Sequence, residues 1–301
     1  MCGNWKNINY NIAGCVILYH PDDEVVFNIE SYIDYLEVLY VIDNSNGKGV
    51  ILELQKKYRD KIIPIVYCEN RGIAYALNDV LHRSSSLYCF LMTMDQDSRF
   101  YFDSMARYVD AIRQFDWNRT LAIGPMIVDK NFNNAYKGEV KWEIAGRLIT
   151  SGSIVSIQNA IKVEGFSEEL FIDEVDFDFS YKGILKGYEL YRNVEGIYLL
   201  HSIGETVYKS ILGHKVKVMN HNPIRKYYIF RNRLIMIKKY YFFLGVRGVL
   251  SYIKKNIELI LYTIFFEKEK YQKIKYIVFG GMDFCSLQTG KFARRSVSKD
   301  D

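Results

Sequence analysis

Residues 90–100 read FLMTMDQDSRF. The apolar half has the pattern of a buried strand, and the acidic half sits at its exit, with Asp95 and Asp97 separated by one residue. Neither carboxylate has an obvious partner in the local sequence. Two anions that close repel unless a cation or a hydrogen-bond network holds them. The stretch is therefore either an ordinary solvated loop or one half of a metal site.

Working outward, the same pattern recurs. AGCVILYH (13–20), EVLYVIDNS (37–45) and IIPIVYCEN (62–70) read as strands, and LYCFLMTMD (87–95) as a fourth. Between them NIESYIDYL (28–36), VILELQKKY (50–58) and IAYALNDVLH (73–82) carry apolar residues at helical spacing. Strands alternating with helices at this spacing predict βαβ units, an α/β fold and a mainly parallel sheet. Ligands bind outside the carboxyl ends of such strands, so His20, Asp43, Asn70 and Asp95 are expected to line one rim. Further on, 102–115 reads as a helix, 120–129 as a strand and 130–145 as a loop or small hairpin. LITSGSIVSIQNAIKVEGF (148–166) reads as a strand, a Ser-Gly-Ser turn with Ser153 as N-cap, and a helix ending near Gly165.

The chain has 301 residues, of which 49% are apolar and 25% charged, enough for a large buried core. Its five cysteines are scattered with no Cys-x-x-Cys pair, which argues for a reducing compartment and against a zinc ribbon. No signal peptide and no membrane-spanning run is evident. The net charge of +5 hides a division. Residues 1–222 hold 23 Lys+Arg against 29 Asp+Glu, a net of −6, and 223–301 hold 17 against 6, a net of +11.

Six groups of residues could carry chemistry. Asp43-Asn44-Ser45 at a strand end suits a base or ribose, or is simply a turn. Asn70-Arg71-Gly72 opens a helix, a diphosphate binder in one reading and a cap with a solvated arginine in the other. Asp95-Gln96-Asp97 suits Mg²⁺ or Mn²⁺. Thr150-Ser151-Gly152-Ser153 offers hydroxyls and a glycine that would let a substrate approach the backbone, or is a good helix start. FIDEVDFDF (171–179) sets Asp173, Glu174, Asp176 and Asp178 among bulky apolar residues, where crowding can raise a pKa or orient a general base. His201 follows another apolar strand and is placed to complete a metal site.

The order of these motifs, from VILYHPD through VIDNS, NRGIAYALN, FLMTMDQDS, ITSGS, GFSEELFIDEVDFDF and LLHSIG to PIRKYYIFRN, resembles the inverting family 2 glycosyltransferases of GT-A fold. Within them it is most like the bacterial rhamnosyltransferases of cell-surface polysaccharide synthesis. The resemblance runs from about residue 13 to 233. It implies a dTDP-L-rhamnose donor and a lipid-linked saccharide acceptor. Asp43 would contact the base or ribose and Asp95 the donor's sugar or ribose, while Asp97 and His201 would bind the divalent metal. The catalytic aspartate falls on Asp176. Val175 replaces the glutamate usual before it, with Asp173 as the acid of the rhamnosyl branch, and Lys182 replaces an arginine. We add Asn70, Arg71, Ser151 and Gly152 as donor contacts.

The stretch 224–266 interleaves Lys and Arg with aromatic and aliphatic residues at near-helical spacing. It fits helices on an anionic membrane surface better than nucleic acid, for which no module is recognisable. Arg225, Arg231 and Asn232 are candidates for the acceptor's phosphates. The expectation is a catalytic domain over 1–222 and a helical, basic region over 223–301, working at the cytoplasmic face of the membrane. Alternatives are a family 2 transferase using galactofuranose or a hexose, a nucleotidyltransferase, and a non-catalytic nucleotide-sugar binding protein. A nucleotidyltransferase needs a glycine-rich loop after the first strand, where this chain reads YHPDDEVVF.

Overall fold

The computed structural model describes residues 11–45, 48–129, 132, 138–201, 206–211 and 214–293. Two compact units divide the chain: Met1–Ser167 with Asp176–Ile203, and Glu168–Val175 with Gly204–Asp301. The division does not fall at residue 222, and a short acidic segment from mid-chain belongs with the C-terminal part.

In the first unit β1 (Ile12–Leu18), β2 (Val38–Asp43), β3 (Ile62–Val66) and β4 (Phe90–Asp95) lie parallel in the order β3-β2-β1-β4. The helices α1 (Glu24–Glu30), α2 (Lys48–Tyr58) and α3 (Ile73–Ser84) fall between successive strands. β1 and β4 are buried almost end to end, as their unbroken apolar runs require of strands covered on both faces. Next in sequence come β5 (Ser98–Phe100), α4 (Ser104–Ala111), β6 (Thr120–Gly124), β7 (Met126–Val128) and β8 (Lys141–Ile144). They are followed by β9 (Ser153–Ser156), α5 (Ile157–Lys162), α6 (Val175–Leu185), β10 (Glu189–Glu195) and β11 (Tyr198–His201).

Beyond β4 the sheet continues β9-β6-β10-β8 and is mixed, because β9 runs antiparallel to both β4 and β6 and β8 runs antiparallel to β10. Three sequence expectations are corrected here. The strand around the Ser-Gly-Ser turn follows it rather than precedes it, and Ser156, not Ser153, caps α5 by accepting from the Asn159 N–H. Gly152 has φ +77°, and its Cα faces Pro125 and Leu199 so closely that a Cβ would stand 2.7 Å and 2.9 Å from them, so the chain turns there without a side chain. The single strand expected over 120–129 is two, broken at Pro125. The Met126 N–H then bonds the Ile197 carbonyl, carrying the chain into a second sheet ordered β5-β11-β7. The expected loop over 130–145 lies partly outside the described residues and contributes β8 as an edge strand.

In the second unit β12 (Thr206–Ile211) and β13 (His214–Met219) form an antiparallel pair, foreshadowed by the alternating Lys-Val-Lys-Val of 215–218. Then come α7 (Pro223–Phe266) and α8 (Lys270–Cys285). α7 is broken at Tyr240 and at Gly245, whose φ of 59° suits a residue without a Cβ. Its two arms fold back on each other. Arg233 donates to the Lys255 carbonyl, and the buried Lys226 pairs with Glu267. Lys273 of α8 joins the same carboxylate at 3.0 Å, so one buried anion faces two buried cations.

His221 lies near this cluster. Burial, with the charges of Arg225, Lys226 and Lys273, pushes its imidazole down from 6.5 to about 4. A neutral folded histidine and a protonated unfolded one mean that its stabilising effect is complete above pH 6.5 and is lost as pH falls towards 4. Melting temperature is therefore expected to drop over that window. His221→Gln should flatten the drop, and an unchanged slope in the variant would refute the assignment.

Candidate active site

The carboxyl edge of β1–β4 gathers the polar residues. Asp43 ends β2 and is fully buried; its Oδ1 accepts from the Ser45 N–H at 2.8 Å, and its Oδ2 has no hydrogen-bond partner. An orphaned buried acceptor at a strand end is costly, and a ligand N–H or O–H would satisfy it. The neighbouring loops are stitched to it: Ser45 Oγ accepts from the His20 N–H, and Asn44 Oδ1 from the Arg71 N–H. Asn70 turns inward and accepts from the Gly72 N–H, closing the turn that starts α3. The exposed Arg71 guanidinium lies 3.6 Å from the centre of the Tyr75 ring.

Asp95 ends β4. Gln96 is clamped to the exit of β1, accepting from the Tyr19 N–H at 2.8 Å and donating to the Tyr19 carbonyl at 3.2 Å. The chain then turns into β5, which pairs with β11 so that Ser98 stands opposite His201. A run of hydroxyls connects the two. The Asp95 N–H donates to Ser151 Oγ at 3.3 Å, Ser151 donates to Ser98 Oγ at 2.8 Å, and Ser98 Oγ lies 2.7 Å from His201 Nδ1. His201 Nδ1 is also 3.5 Å from Asp97 Oδ1. Asp95, Asp97 and His201 each offer a ligand atom within 4.8 Å of the others.

Ser151 and Gly152, expected as donor contacts, are corrected. Ser151 is fully buried and orients the acidic turn, while Gly152 faces Pro125 and Leu199. Ser98 and Gln96, which sequence reasoning did not single out, do the positioning. Their roles come from a cross-strand register and from contact between strand ends, neither of which has a local signature.

Asp176 lies in the first turn of α6, half-buried. It lines a small cavity with Thr93, Leu148, Thr150, Phe166 and Ser180. Thr93 stands two residues before Asp95 on the same strand, so the cavity borders β4 close to its acidic exit. Asp178 is different. It is fully buried, accepts from Ser167 Oγ and lies 3.6 Å from Lys182 Nζ, which also donates to the Gly165 carbonyl. The lysine that replaces the family's arginine is thus a strut inside this unit.

Asp173 belongs to the second unit, in a segment where Phe171, Asp173 and Glu174 all have φ near +60°. Left-handed backbone in residues with a Cβ costs on the order of 1 kcal/mol or more each. Arg231 and Asn232 offset that cost. The Asn232 amide nitrogen lies 2.8, 2.6 and 3.0 Å from the carbonyls of Leu170, Ile172 and Asp173. Arg231 Nη2 reaches the carbonyls of Glu169 and Leu170, and Nη1 reaches Tyr227 and the Gly290 carbonyl. Both side chains are fully buried, so the expectation that they reach an acceptor's phosphates is overturned. Arg225 remains half-exposed, 3.3 Å from Asp173. Burial pushes the carboxyls of Asp173 and Glu174 above the usual range, against the pull of Arg225 on the first and of Tyr252 and Arg233 on the second.

No protein-family model matches the chain. It is 26% identical over 293 residues to the dTDP-rhamnosyl transferase RfbF of Shigella flexneri, an alignment covering 90% of this chain and 93% of that protein. Among solved structures it is similar to the mannosyltransferase PcManGT from Pyrobaculum calidifontis, determined in complex with GDP-Man and Mn²⁺. That match has a TM-score of 0.56 at 13% identity, over 96% of this chain and 80% of that one. S. aureus TarS 1–349 matches with a TM-score of 0.53 at 13% identity, over 91% and 80%. The fold is the GT-A fold expected from the motif order, and the resemblance to glycosyltransferases of rhamnosyl type holds over nearly the whole chain.

Replacing Asn232 by Ala removes the side-chain donor to the Ile172 and Asp173 carbonyls, next to left-handed backbone. We expect a loss of about 2–4 kcal/mol in urea denaturation. A change below about 0.5 kcal/mol would mean that the segment is held by other contacts.

Proposed function

We propose that the chain is an inverting glycosyltransferase that moves L-rhamnose from dTDP-L-rhamnose to a hydroxyl of a lipid-linked saccharide, at the cytoplasmic face of the membrane. The observation that carries the transfer reading is the grouping of Asp95, Asp97 and His201 within 4.8 Å at the carboxyl edge of the parallel strands. The likeness to a dTDP-rhamnosyl transferase over 90% of the chain supports the sugar. The basic C-terminal part, net +11, supports the membrane setting.

Two carboxylates and one imidazole are a donor set that fits Mg²⁺ or Mn²⁺, with Asp97 and His201 as ligands and Asp95 beside the donor's sugar or ribose. Such an ion, when bound, supplies charge stabilisation for a leaving diphosphate. Asp43, with its orphaned Oδ2, holds the base or ribose of the donor. Asn70 and Arg71 flank the N-terminus of α3, whose free N–H groups favour phosphate. Asp176 acts as general base. It takes the proton of the acceptor hydroxyl as that oxygen attacks the anomeric carbon from the face opposite the departing diphosphate. Asp173 sits in the segment leading to that helix, with Arg225 beside it on an exposed surface.

Asp176→Asn should lower turnover by about 10²–10⁴-fold while leaving donor affinity within a few-fold, as measured by radiolabelled transfer and calorimetry. Retained turnover would remove Asp176 from the mechanism. Asp97→Ala should abolish the gain in dTDP-rhamnose affinity on adding Mn²⁺. If a UDP-sugar binds in place of dTDP-rhamnose, the donor assignment falls while the transfer chemistry stands.

A further inference from the structure

The second arm of α7 carries a line of exposed apolar side chains. Val246 is 77% exposed, and Leu250, Ile253, Ile257 and Leu261 continue it. Their spacing of four, three, four and four places all five on one side of the arm that follows the break at Gly245. The opposite side is buried through Tyr252, Asn256, Leu259 and Thr263. At ~1.5 Å per residue the line is about 22 Å long. An apolar band of that length on a soluble surface marks a contact site.

Charge decides what covers it. Arg247 and Lys254 border the line, the lysine 3.8 Å from Glu258, and exposed Lys238 lies before it in sequence, with Lys268, Glu269 and Lys270 after it. A second copy of the chain laid against this face, parallel or antiparallel, would bring basic ends against basic ends. An anionic lipid surface takes up both the apolar line and the cationic border. No helix among the described residues is long and apolar enough to cross a membrane. The second arm itself carries Lys254, Lys255 and Glu258 at its middle and packs on protein along its other side. We propose that this arm is an interfacial anchor, lying in the plane of an anionic bilayer with Val246, Leu250, Ile253, Ile257 and Leu261 among the acyl chains. The inference names the surface and mode of docking, and it does not depend on the transfer chemistry.

The test is flotation of the full chain with phosphatidylcholine vesicles, with and without phosphatidylglycerol. The parent protein is expected to float with anionic vesicles and not with neutral ones. Leu250→Gln/Ile253→Gln/Ile257→Gln changes exposed positions only, and should weaken binding about tenfold or more with an unchanged thermal melt. Arg247→Gln/Lys254→Gln should weaken it a few-fold and reduce its sensitivity to salt. Should the triple variant melt early, Leu250→Gln and Ile257→Gln alone give the same reading at smaller size. Failure of the parent to bind anionic vesicles would overturn the proposal, as would undiminished binding by the apolar variants. A doubled mass in ultracentrifugation that the triple variant abolishes would assign the face to a second copy, and would also overturn it.

Discussion

Two buried serine hydroxyls connect residues that the sequence keeps far apart. Ser151 and Ser98 tie the backbone at Asp95, on the last residue of β4, to the imidazole of His201, 103 residues after Ser98. Carboxylates at a strand exit would otherwise spread apart under their own repulsion. Here the turn that bears them is closed by Gln96 on one side and by the β5–β11 pair on the other. The ligand atoms of Asp95, Asp97 and His201 thus come together before any cation is added. Supporting these side chains by neutral hydroxyls avoids adding further charge beside two carboxylates.

The acidic motif after residue 170 works by a different principle. Its four carboxylates look equivalent in sequence, yet the structure gives each a different neighbourhood. Asp178 is fully buried against Ser167 and Lys182, Glu174 meets Tyr252 and Arg233, Asp173 meets Arg225, and Asp176 faces a cavity. Crowding is thereby relieved neighbour by neighbour, and Asp176 is the one that lines the small cavity beside β4.

The parallel core was legible because β1, β2 and β4 are buried nearly throughout and read as apolar runs, with Asp43 and Asp95 ending β2 and β4 at one edge. The meeting of the Asp95-Asp97 pair with His201 was legible from their places at strand exits and from the resemblance, whereas the register that sets Ser98 against His201 has no local trace. Ser153 looked like a helix cap because Ser-Gly-Ser suits one. The sheet took that segment as an antiparallel strand instead, with the cap moved to Ser156, tertiary pairing having overridden local preference. Arg231 and Asn232 looked like surface residues of a basic tail. Their burial depends on the segment 168–175 returning to the same unit, a contact across about sixty residues that no periodicity encodes.

That return has a bearing on how the chain can be divided. A cut at residue 222 follows the change in charge and looks harmless on composition. It would nevertheless strip the Glu169, Ile172 and Asp173 carbonyls of the Arg231 and Asn232 donors that hold them, beside three left-handed residues. Inactivity of such a truncated protein would therefore say little about whether the tail meets an acceptor. The tail is a splint for an acidic segment made more than fifty residues earlier, and any swap of C-terminal regions between relatives must carry Glu168–Val175 along with it.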